Sequence, residues 1–223
     1  METVAPRAHG VAHAVELVRE LGGNAFVVRA ARNGMQFEPG QYITVGLFGR
    51  IDAREYSVYS APQDGFLEIL VKEVDDGYVS PQLHSVRPGD ILAIDGPFGY
   101  FTIDPEARDN RKFLLVATGT GISPFRSFVR AYPKLDYTLL HGVRFREETY
   151  EADGYDPARY LSCVSRGDGG DFSGRVTDFL RQSPVAPDTL CYLCGNCDMI
   201  YEAFDILKEQ GVPPEQLFAE VYF

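Results

Sequence analysis

Lys112-Phe113-Leu114-Leu115-Val116-Ala117-Thr118-Gly119-Thr120-Gly121-Ile122-Ser123-Pro124 is a strand, a glycine turn and a helix opening in immediate succession. The run Lys112 to Ala117 is continuously apolar instead of alternating, the pattern of a strand covered on both faces, as in a parallel sheet. The amphipathic stretch Pro124 to Ala131 then supplies a covering helix. The same alternation repeats downstream: strand Tyr137 to Gly142, a helical stretch near Glu147, strand Tyr160 to Val164, helix Val176 to Gln182, strand Thr189 to Leu193, helix Met199 to Gln210, strand Phe218 to Tyr222. Asp198 is suited to cap the last long helix and Gly211 to stop it. Strands alternating with helices imply a parallel, doubly wound α/β sheet.

Upstream of the charged, turn-rich stretch Asp104 to Arg111 the pattern differs. Val11 to Val18, Ala25 to Ala30, Tyr42 to Phe48, Glu55 to Ser60, Phe66 to Val74 and Ile91 to Ile94 read as short strands, punctuated by Gly22-Gly23, Asn33-Gly34, Pro39-Gly40, Asp64-Gly65 and Pro88-Gly89. One short helix is expected from about Val79 to Val86. Many strands with little helix imply an antiparallel barrel or sandwich. Two domains are therefore expected, 1–108 and 109–223, a division that suits 223 residues.

A hydrophobic fraction of 45% and a charged fraction of 24% belong to a globular protein, and no apolar run is long enough to span a membrane. Met1 to Gly10 lacks a signal-peptide core, so a cytoplasmic, monomeric protein is expected. A net charge of -11 argues against nucleic acid and against an anionic membrane surface as partners. Four cysteines are too few for a disulfide framework. Cys191, Cys194 and Cys197 invite an iron–sulfur reading, but the fourth, Cys163, falls on another strand, so no metal is expected. Cys191 and Cys197 are expected to be buried, and the histidines at 9, 13, 84 and 141 to be structural, because they form no ligand spacing.

Three stretches are candidates for ligand chemistry. Arg54-Glu55-Tyr56-Ser57 places a cation, a flat aromatic and a hydroxyl on an extended run, which suits a ligand with a phosphate and a planar ring. Gly77-Tyr78-Val79-Ser80 is a glycine turn leading into exposed amides, suited to a pyrophosphate or merely a capped turn, with Lys72 as an added charge. Gly119-Thr120-Gly121 lets backbone approach a dinucleotide at a helix N-terminus, though it lacks the full GxGxxG pattern. Ser165-Arg166 and Gly174-Arg175 end a strand and open a helix at one sheet edge. Their arginines could clasp a ribose 2'-phosphate or form surface salt bridges. Cys194, at the end of a parallel strand, is placed for contact with bound ligand.

With these segments in order, the chain resembles the ferredoxin/flavodoxin–NADP reductase family, in its bacterial subclass. The resemblance runs through Arg54-Glu55-Tyr56-Ser57, Gly77 to Pro81, Gly96-Pro97-Phe98-Gly99, Gly119 to Pro124, Ser165-Arg166, Gly174-Arg175-Val176, Cys194-Gly195-Asn196 and Ala219 to Phe223. It implies a six-stranded antiparallel FAD barrel followed by a five-stranded parallel NADP domain, with ferredoxin or flavodoxin as the electron partner. It further implies that Arg54, Val79 and Ser80 hold the flavin pyrophosphate, that Tyr56 stacks on the flavin, and that Ser57 reaches its N5 region. Gly119, Thr120 and Gly121 would form the NADP(H) diphosphate turn, and Arg166 and Arg175, helped by Arg144, the 2'-phosphate clamp. Cys194 and Glu220 would lie beside the reacting centre, with Asn196 close by. Tyr222 or Phe223 would cover the second flavin face. An acidic partner would need local positive potential, for which Arg29, Arg32, Arg54 and Lys72 are the candidates. A reductase component serving an oxygenase is the alternative.

Overall fold

The computed structural model describes residues 10–222. The chain divides into two units, residues 1–102 and 103–223. The first is built from β1 (Val11–Glu20), β2 (Ala25–Ala31), β3 (Tyr42–Leu47), β4 (Ala53–Ser57), β5 (Phe66–Lys72), helix α1 (Ser80–Ser85) and β6 (Ile91–Phe98). All pairings are antiparallel, in the order β4-β3-β6-β1-β2-β5. The expected strand Glu55 to Ser60 divides here. Its first part pairs with β3 as far as Ser57, and Val58 then crosses to form a bridge with Ile69 of β5. The adjacent Tyr59 N–H donates to the Glu68 carbonyl at 2.8 Å. That crossing joins the two end strands of the sheet and closes the barrel. Phe26, Val28, Ile43, Val45, Val58, Leu67, Ile69, Val71, Leu92 and Ile94 fill it, with Leu83 of α1 and Val86 just after it in the same cluster.

The second unit comprises β7 (Lys112–Thr118), α2 (Ser123–Ala131), β8 (Asp136–Val143), β9 (Tyr160–Val164), β10 (Phe172–Ser173), α3 (Val176–Gln182), β11 (Leu190–Asn196), α4 (Cys197–Glu209) and β12 (Leu217–Tyr222). Its strands are parallel in the order β10-β9-β8-β7-β11-β12. The sheet thus has six strands where five are expected, the extra one being the two-residue β10 on the edge. The chain order reverses beside β7, the switch point where doubly wound sheets bind ligands beyond their strands' C-terminal ends. On one face, Leu114, Val116, Leu140, Cys191 and Leu193 pack with Ile200, Ala203 and Leu207 of α4.

Helix α4 starts two residues earlier than expected. Its cap is Asn196, whose side-chain oxygen accepts from the Met199 N–H at 3.2 Å, and Asp198 lies in the first turn. Gly211 ends it in a left-handed conformation, φ +94°, with its N–H donating to the Lys208 carbonyl. Among the described residues no helix is long and apolar enough to cross a membrane.

Candidate functional site

In the barrel, β4 presents Arg54 exposed, Tyr56 half-buried against the core and Ser57 buried. Burial pushes the Tyr56 hydroxyl up to about 12, against a smaller downward pull from Arg54, so the ring is a neutral apolar plate at ordinary pH. The Arg54 guanidinium makes one local bond, to the Ala53 carbonyl at 2.9 Å. The turn after β5 folds back tightly. A Cβ on Gly77 would lie 2.9 Å from both the Ser80 hydroxyl oxygen and the Val74 carbonyl, so only glycine fits. The Ser80 hydroxyl accepts from the Val74 N–H at 3.1 Å, which fixes this loop, and the Val79 side chain belongs to the barrel core. A ligand at this turn would therefore meet backbone amides, with Lys72 half-buried at the end of β5.

In the second unit the glycine turn is a 3-10 segment, Gly119–Ile122, wedged between β7 and β11. Its two glycines do different work. Gly119 has φ +52° and nothing within 4 Å of an added Cβ, so it supplies the left-handed turn and leaves open space above it. A Cβ on Gly121 would fall 2.3 Å from the Cys194 carbonyl oxygen, so this glycine lets the turn nest on β11. Gly195 does the reverse: its Cβ would meet Thr118 Oγ1 at 2.4 Å. That same Oγ1 accepts from the Asn196 N–H at 2.9 Å. Turn and strand end are thus one interlocked piece, with Thr120 half-buried between the glycines.

Arg144, Ser165 and Arg166 end β8 and β9, and Arg175 precedes α3, all four exposed. The Arg166 N–H donates to the Arg144 carbonyl at 2.8 Å, which makes these two neighbours, and Ser165 Oγ donates to the Val143 carbonyl at 3.1 Å. The Arg175 N–H donates to Asp178 Oδ2 at 3.0 Å. Among the described residues no carboxylate forms an ion pair with the guanidinium of Arg144, Arg166 or Arg175. Arg29, Arg126, Arg159 and Arg181 are all so paired. Arg29 is tied to the buried Glu68, whereas Arg32 donates to the carbonyls of Met35, Pro62 and Asp64 and keeps its positive charge.

Cys194 and Glu220 lie opposite each other on β11 and β12, and Asn196 lies opposite Tyr222. Cys194 is fully buried, on the sheet face away from the α4 cluster. Burial lifts its thiol well above the ordinary range, the Glu220 carboxylate adds to the lift, and a hydrogen bond with the Tyr222 side chain opposes it. It is a neutral thiol, not a nucleophile. Cys191 is buried as expected, whereas Cys197 is half-buried at the start of α4. Phe223 lies outside the described residues.

One residue expected to be structural lies directly against the glycine turn. His141, on β8 opposite Ala117, is fully buried beneath the glycine turn, with Nε2 2.9 Å from the Gly119 carbonyl oxygen and Nδ1 2.9 Å from the Tyr160 hydroxyl. Its place at the C-terminal end of the strand beside β7 was the available signal.

Comparison with known proteins places these features. A family model described as an oxidoreductase FAD-binding domain matches residues 12–103, and one described as an oxidoreductase NAD-binding domain matches residues 115–204. Ferredoxin–NADP reductase B of Sorangium cellulosum is 34% identical over 220 residues, covering 87% of this chain and 88% of that protein. The chain belongs to the ferredoxin–NADP reductase family. It is an FAD-dependent oxidoreductase that uses a nicotinamide nucleotide. The electron transfer component of toluate 1,2-dioxygenase from Pseudomonas putida is 27% identical, over 96% of this chain and 68% of that longer one. A ferredoxin NADP+ reductase structure from Neisseria gonorrhoeae, with FAD and NADP bound, superposes with a TM-score of 0.84, at 23% identity, over 96% of this chain and 98% of that one. That likeness carries the fold. The residues of this reductase fit both cofactors: β4 offers an exposed guanidinium beside an apolar ring, and the second unit offers a glycine turn open on one side and three arginines without counter-ions.

Proposed function

We propose that this reductase transfers hydride between NADP(H) and FAD and passes electrons singly to a ferredoxin or flavodoxin. The observation that carries the nucleotide preference is the set Arg144, Arg166 and Arg175, exposed at the C-terminal ends of β8 and β9 and the start of α3, with no ion-paired carboxylate among the described residues. Three uncompensated cations at one sheet edge repel one another unless a dianion joins them, and a ribose 2'-phosphate is such a group. Ser165 stands beside them as a further donor.

The bound cofactors supply the redox chemistry, and the protein supplies position and charge. In this reading Arg54 forks onto a flavin phosphate oxygen, while the amides after Gly77, including those of Val79 and Ser80, hold the pyrophosphate, with Lys72 adding charge. Tyr56 is the plate on which the flavin lies, and Ser57 the hydroxyl for its N5 edge. Gly119, Thr120 and Gly121 receive the nucleotide diphosphate. Cys194 contributes an uncharged, polarisable surface for the nicotinamide, Glu220 supplies local negative charge and a proton-holding carboxylate, and Asn196 presents its amide nitrogen while its oxygen caps α4. Tyr222 covers Cys194 until the nucleotide arrives. The division 1–108 and 109–223 is the functional division of the two cofactors.

A second acceptor class is supported by the toluate 1,2-dioxygenase component, which this chain matches over 96% of its length. The end-to-end correspondence with the Sorangium relative favours ferredoxin. Purified protein should retain FAD and be reduced far faster by NADPH than by NADH. A screen of ferredoxins, flavodoxins and oxygenase components then assigns the acceptor. A colourless protein that takes up no flavin, or one that prefers NADH, overturns the proposal.

A further inference from the structure

We propose that His141, held between the Gly119 carbonyl and the Tyr160 hydroxyl, is a positioning residue that aims the Gly119 turn at the nucleotide diphosphate; this rests on the reading of the second unit as the NADP(H) site. The Gly119 carbonyl can only accept, so the His141 Nε2 facing it at 2.9 Å carries the proton. Nδ1 is then a bare lone pair, and the Tyr160 hydroxyl 2.9 Å away donates to it. In this arrangement both ring nitrogens are satisfied: the Gly119 carbonyl, which only accepts, selects the tautomer, and the Tyr160 hydroxyl on β9, which can donate or accept, completes it.

The direction of the bond matters because a trans peptide points its C=O and N–H opposite ways. Drawing the Gly119 carbonyl down onto His141 turns the Thr120 N–H of the same peptide up and away from the sheet. Gly119 can accept this orientation because its φ is +52°, and the space around its missing Cβ is open to 4 Å. The imidazole cannot rotate to release the carbonyl: Tyr150 and Tyr160 stand with ring centroids 6.0 Å from it, and its exposure is zero. Burial pulls its pKa down to about 4, against smaller opposing effects of the Gly119 carbonyl and Glu148, so the ring stays neutral at working pH. The pair touches neither cofactor under the proposed arrangement, and its effect is confined to the phosphate-facing turn.

The test uses the full chain loaded with FAD and two nucleotides. NADP+ needs the diphosphate turn; 2'-AMP has the ribose 2'-phosphate and adenine but no diphosphate. His141→Leu leaves the Gly119 carbonyl buried without its donor and is expected to weaken NADP+ about tenfold while 2'-AMP binds as before. His141→Gln, whose amide nitrogen extends toward the position of Nε2, should recover most of the loss. Unchanged NADP+ affinity, or equal loss for both nucleotides in a folded variant, overturns the inference. Should His141→Leu fail to fold, nitrogen-15 spectra of the wild-type ring decide: the Nε2–H tautomer, responding to NADP+ but not to 2'-AMP, supports it, and the Nδ1–H tautomer or an unresponsive ring overturns it. Wild-type protein that binds neither nucleotide sinks the nucleotide-site reading itself, whereas wild-type binding with indifferent variants sinks only the role of His141.

Discussion

Replacing Gly121 by alanine probes the joint on which the second unit's site rests. The added Cβ would lie 2.3 Å from the Cys194 carbonyl oxygen, 2.6 Å from its carbon and 2.7 Å from Gly195 Cα, all of them backbone atoms. Ordinary contact begins at 3.4 Å, so about 1 Å must be found. Strand β11 cannot provide it, because β7 and β12 hold it from both sides. The turn must lift instead, at a cost of about 1–3 kcal/mol for overpacking a rigid site. At about 2 kcal/mol the urea midpoint falls, and if the displaced amides also misalign with the diphosphate, NADP+ affinity drops roughly 30-fold. FAD content, which depends on the barrel, should stay at wild-type level. Gly119→Ala is the matched control: its Cβ meets nothing within 4 Å, but φ +52° is strained for alanine by about 1 kcal/mol. Paired measurements of FAD per chain, NADP+ titration and urea unfolding rank the two. Gly121→Ala behaving as wild type, or Gly119→Ala proving the more destabilised, would refute the reasoning.

Arg166→Ala and Arg175→Ala should each raise the KM for NADPH by roughly 10–100-fold, the worth of a charge-assisted bond, while leaving NADH kinetics alone; steady-state rates with both nucleotides check this. His84, 35% exposed, bonds Glu20 at 2.7 Å and also Glu73, and these carboxylates, Glu20 first, raise its pKa above 6.5. The stabilisation is therefore complete below pH 6.5 and fades as pH rises through the folded pKa, so wild type should lose more urea stability than His84→Gln between pH 6 and pH 9. Equal losses in the two proteins would show that the cluster contributes nothing. Deleting Tyr222 and Phe223 removes the side chain bonded to Cys194 and should tighten binding of the oxidised nicotinamide nucleotide, measured by titration; unchanged affinity counts against a gate.

The parallel sheet was legible because the run Lys112 to Ala117 is apolar without alternation and strands then alternate with helices, a pattern that polar loops do not imitate. Strand β10 was not, since two residues after the glycine-rich stretch 167–170 carry no period. Tyr59 and Ser60 continue the run past the crossing at Val58 with residues that still suit a strand, so the sequence did not mark where the chain leaves β3 for β5. Asn196 and Asp198 are equally good caps by type, and the bond from the Met199 N–H to the Asn196 side-chain oxygen decides between them. The gathering of Arg144, Arg166 and Arg175 near one end of the sheet was legible because strand ends converge in this fold. His141 was not: a lone histidine on an apolar strand reads as core until the register sets it under Gly119.

The charge of the molecule constrains how it meets its acceptor. A carboxylate as buried as Glu68, 2% exposed, must be compensated, and Arg29 does so with two bonds of 3.0 and 2.8 Å to one oxygen while stacking on Phe66. Arg32 is equally committed to the carbonyls of Met35, Pro62 and Asp64 and holds the chain where it leaves β2. Arg54, in the proposed arrangement, is neutralised by a flavin phosphate. The formal net charge of the chain is -11. An acidic acceptor then meets a net repulsion that salt screens beyond a Debye length of about 8 Å at physiological ionic strength, so its recognition rests on contacts nearer than that. Selection among acceptors by this reductase is therefore a matter of local fit, with long-range attraction supplying little of it.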